Sequence, residues 1–131
     1  MATGLLDTSV VVDWHDPSVV EKLPDEMAIS AATAAELAAG TLLASTPVEA
    51  AKRQARLQEV ESLMEPIPFD SRTVRSYGLV VAAIVGQRRK PRSRLADLLI
   101  AATAHANGLD LYTRNADDFT GLEDLVRVVA V

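Results

Sequence analysis

The chain has 131 residues, of which 49% are apolar, enough for one domain with a sizeable core. It has no cysteine, which excludes disulfides, thiolate metal sites and cysteine nucleophiles. With only two histidines as well, any bound metal is expected to take oxygen ligands, and the net charge of −5 at first argues against a nucleic-acid partner.

The amino-terminal segment, MATGLLDTSVVVDW, lacks the basic region of a signal peptide and meets an aspartate early. No apolar run in the chain reaches the length that spans a bilayer. We therefore expect a cytoplasmic protein.

The first half of the chain predicts two strands and four helical segments. The strands are residues 4–7 and 27–30, and the helical segments are residues 8–14, 18–23, 32–44 and 47–64. In the long fourth segment, which begins at Pro47, the expected apolar stripe is Val48, Ala51, Ala55, Val60, Leu63 and Met64.

The second half predicts three strands and two helices. The strands are residues 66–69, 111–113 and 126–131, and the helices are residues 70–88 and 93–107. Asp70 is expected to cap the first of these helices, and Gly108 to end the second. The expected core contacts of the helix that starts at Asp70 are Val74, Tyr77, Val81 and Ile84.

Strands alternate with helices along the whole chain, and most strands are short and apolar on both faces. This pattern predicts an α/β fold with a mainly parallel central sheet flanked by helices on both sides, formed by residues 1–131 as a single domain. In such folds ligands bind at the carboxyl ends of the strands.

Three isolated acids are placed to meet at that edge. Asp7 ends the first strand, where a charge must be paired, hydrated or bound to metal, although it can equally cap the following helix. Asp97 is the only acid in residues 95–106, and its alternative role is to interact with the helix amino terminus and with Arg94. Glu36 is the only charge in residues 31–45, and its alternative is an exposed helix face.

A polar turn near the carboxyl terminus supplies weaker candidates. Asn115, Asp117 and Asp118 follow the strand at residues 111–113. Their alternative role is structural, because Asn115 can cap a short helix while Asp118 reaches back. The two histidines have no cysteine or serine partner pattern, and no glycine-rich phosphate loop is present, so serine hydrolases and nucleotide-binding proteins are not favoured.

Basic residues are concentrated in one loop that could contact phosphate. They are Arg88, Arg89, Lys90, Arg92 and Arg94. A local basic cluster in an acidic protein can bind phosphate, and the alternative is a linker made soluble by its charge.

Clustered carboxylates need a cation, and Mg²⁺ or Mn²⁺ held by oxygen can activate water against a phosphodiester. Metal-assisted cleavage of nucleic acid is therefore the predicted chemistry.

Four stretches occur in a distinctive order, namely LLDTSVVVDW, AAELAAG, LADLLIAATAHANGLDLYTRNADDF and a short apolar final strand. In this order they resemble the PIN-domain proteins, and more narrowly the VapC toxins of type II toxin–antitoxin modules. The resemblance covers nearly the whole chain. It implies a ribonuclease that depends on Mg²⁺ or Mn²⁺.

The resemblance also assigns roles to residues. It implies that Asp7 and Asp97 bind the metal, that Glu36 binds it or orients its waters, and that a residue of the 113–119 turn completes the site. Asn115 stands where the family's turn carries its acid or amide, so Asp117 or Asp118 is an alternative. Thr113 is expected to assist by hydrogen bonding, and the basic loop together with Arg114 to contact RNA.

The partners implied are a VapB-like antitoxin and a second copy of the chain, giving a homodimer and, with antitoxin, a heterotetramer or larger assembly. Two other interpretations stay open. One is a PIN scaffold that binds RNA or protein without cutting, which the asparagine at position 115 favours. The other is a flap-type nuclease directed at DNA.

Overall fold

The computed structural model describes residues 3–87 and 94–131. Its centre is a four-stranded sheet in the order β2–β1–β3–β4. The strands are β1 (Thr3–Leu6), β2 (Glu26–Ala28), β3 (Asp110–Thr113) and β4 (Val128–Ala130). All three pairings are parallel, so the predicted α/β fold is confirmed.

Six α-helices and one 3₁₀ helix connect the strands in the described part of the chain. They are α1 (Thr8–Val11), α2 (Pro17–Val20), α3 (Ala31–Leu42), α4 (Pro47–Leu63), α5 (Ser71–Gly86), α6 (Leu95–Ala106) and the 3₁₀ helix Ala116–Phe119. Local signals explain where the longer ones begin: the side chain of Thr46 caps α4 and that of Asp70 caps α5. Within the described residues, no helix combines the length and apolar character needed to cross a membrane.

The sheet separates two hydrophobic clusters, as expected when helices cover both faces. Leu5 belongs to the cluster formed with α5 and α6, whereas the next residue, Leu6, belongs to the cluster formed with α1 to α4. Because successive side chains of a strand point to opposite faces, this alternation puts one layer of helices on each side. The carboxyl end of β1 therefore opens between the two layers.

The predicted strand at residues 66–69 is wrong. Only one parallel bridge forms there, between Ser30 and Ile67. The N–H of Ile67 donates to the carbonyl of Ile29 at 2.8 Å, and its carbonyl accepts from Ala31 at 2.9 Å. Pro66 and Pro68 have no N–H to continue the ladder, which limits the pairing to a single residue.

The predicted apolar stripe of α4 is also mostly wrong. Val60 is buried and Met64 packs beside it, but Val48, Ala51, Ala55 and Leu63 are exposed.

On α5, Ile84 is buried as predicted, while Val74 is exposed. Tyr77 packs against the core as predicted, and the buried face also includes Thr73, Ser76 and Val80. Both polar members are hydrogen-bonded: Thr73 to Asp70, and Ser76 to His105 of α6 at 2.8 Å. Because two of the buried positions of α5 are polar, the spacing of apolar residues did not predict its buried face correctly.

Candidate active site

Asp7 lies between β1 and α1, at the carboxyl end of the central strand, and is only 4% exposed. Its Oδ1 accepts from the backbone N–H of Thr8 at 2.9 Å. Its Oδ2 accepts from the hydroxyls of Ser9 at 2.7 Å and Thr113 at 2.8 Å. Asp7 is thus both the cap of α1 and a buried acid at the strand end, so the two interpretations of its role are compatible.

Asp97 lies in the first turn of α6 and is 3% exposed. Burial raises its pKa above the ordinary value of 3.8, and the neighbouring charges of Asp7 and Asp118 act in the same direction. The backbone N–H of Arg94, which donates to Oδ2 at 3.1 Å, and the Arg94 guanidinium oppose this rise. The structure thus brings Asp97 within electrostatic reach of two other predicted acids.

Glu36 projects from α3, and its side chain is 26% exposed. Its Oε1 accepts from the hydroxyl of Thr8 at 2.6 Å, and Thr8 directly follows Asp7. Its Oε2 lies 3.9 Å from Nη2 of Arg94, which itself lies 3.9 Å from Asp97 through Nε. Glu36 is therefore connected to both buried acids through one intervening residue each.

The carboxyl-terminal turn contributes unequally. Thr113, fully buried, accepts a hydrogen bond from the backbone N–H of Asn115 at 3.0 Å while donating to Asp7. Asp118 is half-buried and influences Asp97, whereas Asp117 is exposed. The Asn115 side chain makes no capping hydrogen bond to the 3₁₀ helix, contrary to the alternative role considered for it.

The candidate site offers carboxylate oxygens, the ligands that hard divalent cations prefer. Two of these carboxylates, Asp7 and Asp97, are buried. Within residues 3–87 and 94–131, however, no three acidic or histidine side chains are grouped closely enough to hold a metal ion as they stand. Hydroxyls hold Asp7, and the Thr8 hydroxyl holds Glu36. A carboxylate oxygen that accepts a hydrogen bond keeps a further lone pair, so these contacts and a bound cation are compatible.

Most of the predicted RNA-binding loop lies outside the described residues, namely Arg88, Arg89, Lys90 and Arg92. Of the other two predicted contacts, Arg94 borders the acids, while Arg114 lies 3.1 Å from Asp13 through Nη1.

A cavity of about 390 Å³ has Glu36 and Thr8, the residue after Asp7, in its wall. Its far side includes Arg53 and Arg56 of α4, which the sequence interpretation missed. Arg53 donates to the carbonyl of Gly40 at 2.7 Å and to Glu49 at 3.2 Å, and Arg56 donates to the carbonyl of Val12. Arg53 and Arg56 are three residues apart on a predicted helix, so they share a face of it. This spacing was the sequence signal that could have indicated a basic surface on α4.

A family model for the PIN domain matches residues 4–124 of the chain. The chain belongs to the PIN-domain family. Every acid discussed above falls within the matched residues.

Two relatives from Mycobacterium tuberculosis narrow the assignment. Ribonuclease VapC5 is 34% identical over 129 residues, covering 97% of this chain and 93% of that protein. Ribonuclease VapC4 is 32% identical over 106 residues, covering 81% of this chain and 78% of that protein. The chain is thus a VapC-family PIN domain, and the resemblance seen in the sequence is confirmed.

Solved structures agree with this assignment. The VapBC-5 toxin–antitoxin structure from M. tuberculosis contains a chain that matches with a TM-score of 0.87 and 34% identity, covering all of both chains. FitAcB from Neisseria gonorrhoeae matches with a TM-score of 0.77 and 26% identity, covering 95% of this chain and 94% of that one. VapBC2 from Rickettsia felis, at 22% identity and a TM-score of 0.79 over 98% of each chain, supports the fold alone.

Proposed function

We propose that this VapC-family protein is an endoribonuclease that depends on Mg²⁺ or Mn²⁺ and acts as the toxin of a type II toxin–antitoxin module. The relatives' name, ribonuclease, supports RNA as the substrate. The observation that carries the proposal is Asp97, an acid 3% exposed whose pKa is raised by burial and by two neighbouring acids. A protein seldom keeps like charges together in its interior unless they bind a cation or perform chemistry.

In this proposal Asp7 and Asp97 bind the metal directly, and Glu36 binds it or orients its waters. Asp118 completes the site in preference to Asp117 or Asn115, because it is half-buried and acts on Asp97. A bound divalent cation supplies a more acidic water and neutralises charge on the phosphate. Hydrolysis then joins the water oxygen to phosphorus and releases a ribose oxygen, which takes up a proton.

The hydroxyls around Asp7 act as positioning groups. Ser9 and Thr113 donate to the same carboxylate oxygen, and the backbone N–H of Thr8 holds the other. These three donors fix the orientation of the carboxylate and favour its ionised form. Thr113→Val should therefore reduce cleavage, by about tenfold on the scale of a lost hydrogen bond to a charged group.

RNA contact is proposed for two groups of basic residues. One comprises Arg88, Arg89, Lys90, Arg92, Arg94 and Arg114. The other is the pair Arg53 and Arg56, which line a cavity together with Glu36 of the candidate site. A strand that occupies this cavity would place its flanking phosphates beside the two guanidinium groups, which suit phosphate geometry.

The partners proposed are a VapB-like antitoxin and a second copy of the chain. The support for the antitoxin is the likeness to a chain of the VapBC-5 toxin–antitoxin structure over its whole length. A homodimer, and a heterotetramer or larger assembly with antitoxin, follow from the family resemblance. Co-expression with a candidate antitoxin, followed by size-exclusion chromatography with light scattering, tests both assemblies.

The test of the activity compares the native protein with Asp97→Asn on single-stranded RNA, transfer RNA and branched DNA, with Mn²⁺ or with EDTA. The matched control is Asp110→Asn, at the amino end of β3, where the native side chain pairs with Arg127 at 3.1 Å. We expect RNA cleavage by the native protein and Asp110→Asn only with metal, and a loss of at least about 100-fold in Asp97→Asn. Equal cleavage by all three proteins would contradict the proposed site, and preference for branched DNA would contradict the substrate.

A second candidate function is a PIN-fold module that binds RNA or protein without cutting. The observation that favours it is that no three acidic or histidine side chains of the described residues are grouped to hold a metal. In that case the same RNAs would bind without cleavage, and Asp97→Asn would bind them as well as the native protein does. A gel-shift assay run beside the cleavage assay separates the two functions.

A further inference from the structure

Arg94 occupies the position before the first turn of α6, where an arginine brings no capping benefit. Residues at this position usually stabilise a helix by accepting a hydrogen bond from its free N–H groups, and arginine has no acceptor. The Arg94 side chain indeed makes no capping hydrogen bond. Only the reverse contact forms, in which Asp97 accepts from the Arg94 backbone at 3.1 Å. Helix capping therefore does not explain the arginine.

The guanidinium of Arg94 lies between two acids that belong to different helices. Its Nη2 is 3.9 Å from Oε2 of Glu36 on α3, and its Nε is 3.9 Å from Oδ2 of Asp97 on α6. Both distances exceed those of a hydrogen bond, so the contact is electrostatic rather than tightly fixed. The side chain is 74% exposed, so it can move away into solvent.

Four other arginines of the described residues pair differently. Each lies 3.1 to 3.3 Å from a single acid: Arg53 with Glu49, Arg72 with Asp70, Arg114 with Asp13, and Arg127 with Asp110. Arg94 instead divides its charge between two acids and approaches neither closely. This placement suits a counter-ion that a stronger cation can displace.

We propose that Arg94 is the resident counter-ion of the acids in the metal-free protein, and that a divalent cation must displace its guanidinium to bind beside Glu36 and Asp97. This inference rests on the proposed function. It follows by linkage that the arginine and the metal each weaken the binding of the other. Once displaced, the guanidinium is able to pair with an RNA phosphate, the role proposed for it above.

The test is calorimetric titration of the purified protein with Mn²⁺, without RNA. We expect Arg94→Gln to bind Mn²⁺ roughly three- to tenfold more tightly than the native protein, the effect of removing weak, exposed ion pairs. Arg94→Lys, which keeps the charge, should stay near the native affinity. The control is Arg127→Gln, since Arg127 is 77% exposed and paired at the opposite end of the sheet.

Thermal unfolding is the second readout. In EDTA, Arg94→Gln should unfold at a lower temperature than Arg127→Gln, because the acids have lost their counter-ion. In saturating Mn²⁺ the difference should vanish or reverse. Unchanged or weaker Mn²⁺ binding by Arg94→Gln would overturn the inference.

The two proposals fail in distinguishable ways. If the native protein and Asp97→Asn bind Mn²⁺ equally or not at all, the proposed metal site is wrong. The EDTA comparison then still decides whether Arg94 acts as the counter-ion. If Asp97→Asn alone loses Mn²⁺ binding while Arg94→Gln matches the native protein, the metal site stands and the counter-ion role is wrong.

Discussion

Helices α5 and α6 pack side by side, and each has an aspartate at its amino end, but the two aspartates are in opposite electrostatic situations. The helices run in opposite directions, since Arg72 and Ser76 of α5 contact Asn107 and His105 near the end of α6. Asp70 accepts from the backbone and hydroxyl of Thr73, which hold its pKa below the usual range, as does Arg72 more weakly. Asp97 is buried, and burial raises its pKa.

The difference distinguishes an acid that stabilises the fold from one that the fold tolerates. Asp70 has its hydrogen bonds in place and serves its own helix. Asp97 accepts one backbone N–H and lies within the field of Asp7 and Asp118. A buried carboxylate whose charge is only partly balanced by hydrogen bonds and cations is available to bind a ligand. The experiments below test this difference between Asp97 and Asp70.

Metal addition should produce the largest effect. A ligand at 100 times its dissociation constant stabilises the folded state by about 2.7 kcal/mol. We expect Mn²⁺ at that level to stabilise the native protein and Asp70→Asn by this amount, and to leave Asp97→Asn unchanged. Urea unfolding with Mn²⁺ and with EDTA measures the difference, and equal stabilisation of all three proteins would break the comparison.

Without metal, the two aspartates should respond to substitution with opposite signs. Asp97→Asn should increase the free energy of unfolding at pH 7 in EDTA by about 1 kcal/mol, because it removes an incompletely compensated buried charge. Asp70→Ala should decrease it, because the cap of α5 is lost. Destabilisation by both substitutions would show that Asp97 is a structural acid like Asp70.

The pH dependence should differ in the same way. The folded-state pKa of Asp97 is raised, so the stability it contributes is fully present below 3.8 and is lost as pH rises through the folded pKa. The folded-state pKa of Asp70 is lowered, so the stability that Asp70 contributes is present above pH 3.8 and is lost as pH falls through its folded-state pKa.

The advantage of Asp97→Asn in EDTA should accordingly shrink towards zero below pH 3.8 and grow above it. Unfolding titrations at several pH values measure this, and a pH-independent difference would contradict the direction of the shift.

The smallest expected effect concerns Gly78, in the exposed middle of α5. An added Cβ there meets no atom within 4 Å. Gly78→Ala should stabilise the protein by about 0.5–1 kcal/mol, because glycine loses more backbone entropy on folding. RNA cleavage should not change, and a change would show that α5 participates in the site rather than supporting it.

The sequence was sufficient to predict the parallel α/β fold and to pick out three acids that the structure places near one another. Isolated charges in apolar segments indicated Glu36 and Asp97, and the end of a short apolar strand indicated Asp7, although each also had a structural alternative. Alternating strands and helices predicted the parallel sheet. These inferences depend on local pattern, which a single chain displays.

What the sequence did not reveal depends on pairings between distant residues. The hydroxyls of Thr8 and Ser9 can bond to many partners, and only the β1–β3 pairing brings Ser9 and Thr113 to one carboxylate oxygen. The cavity arginines on α4 were likewise hidden, since their position depends on how α4 packs against α3. The strand predicted at residues 66–69 failed because the effect of its two prolines on pairing was underestimated.

The contact between Asp7 and Thr113 joins residues 106 positions apart. A ribosome that adds roughly 5–20 residues per second therefore makes the first acid several seconds before the residues that orient it. During that interval β1 can pair with β2, but β3 does not yet exist. A nascent chain released before residue 110 thus lacks β3 and the Thr113 hydroxyl that holds Asp7, so the candidate site assembles only after that strand has been made.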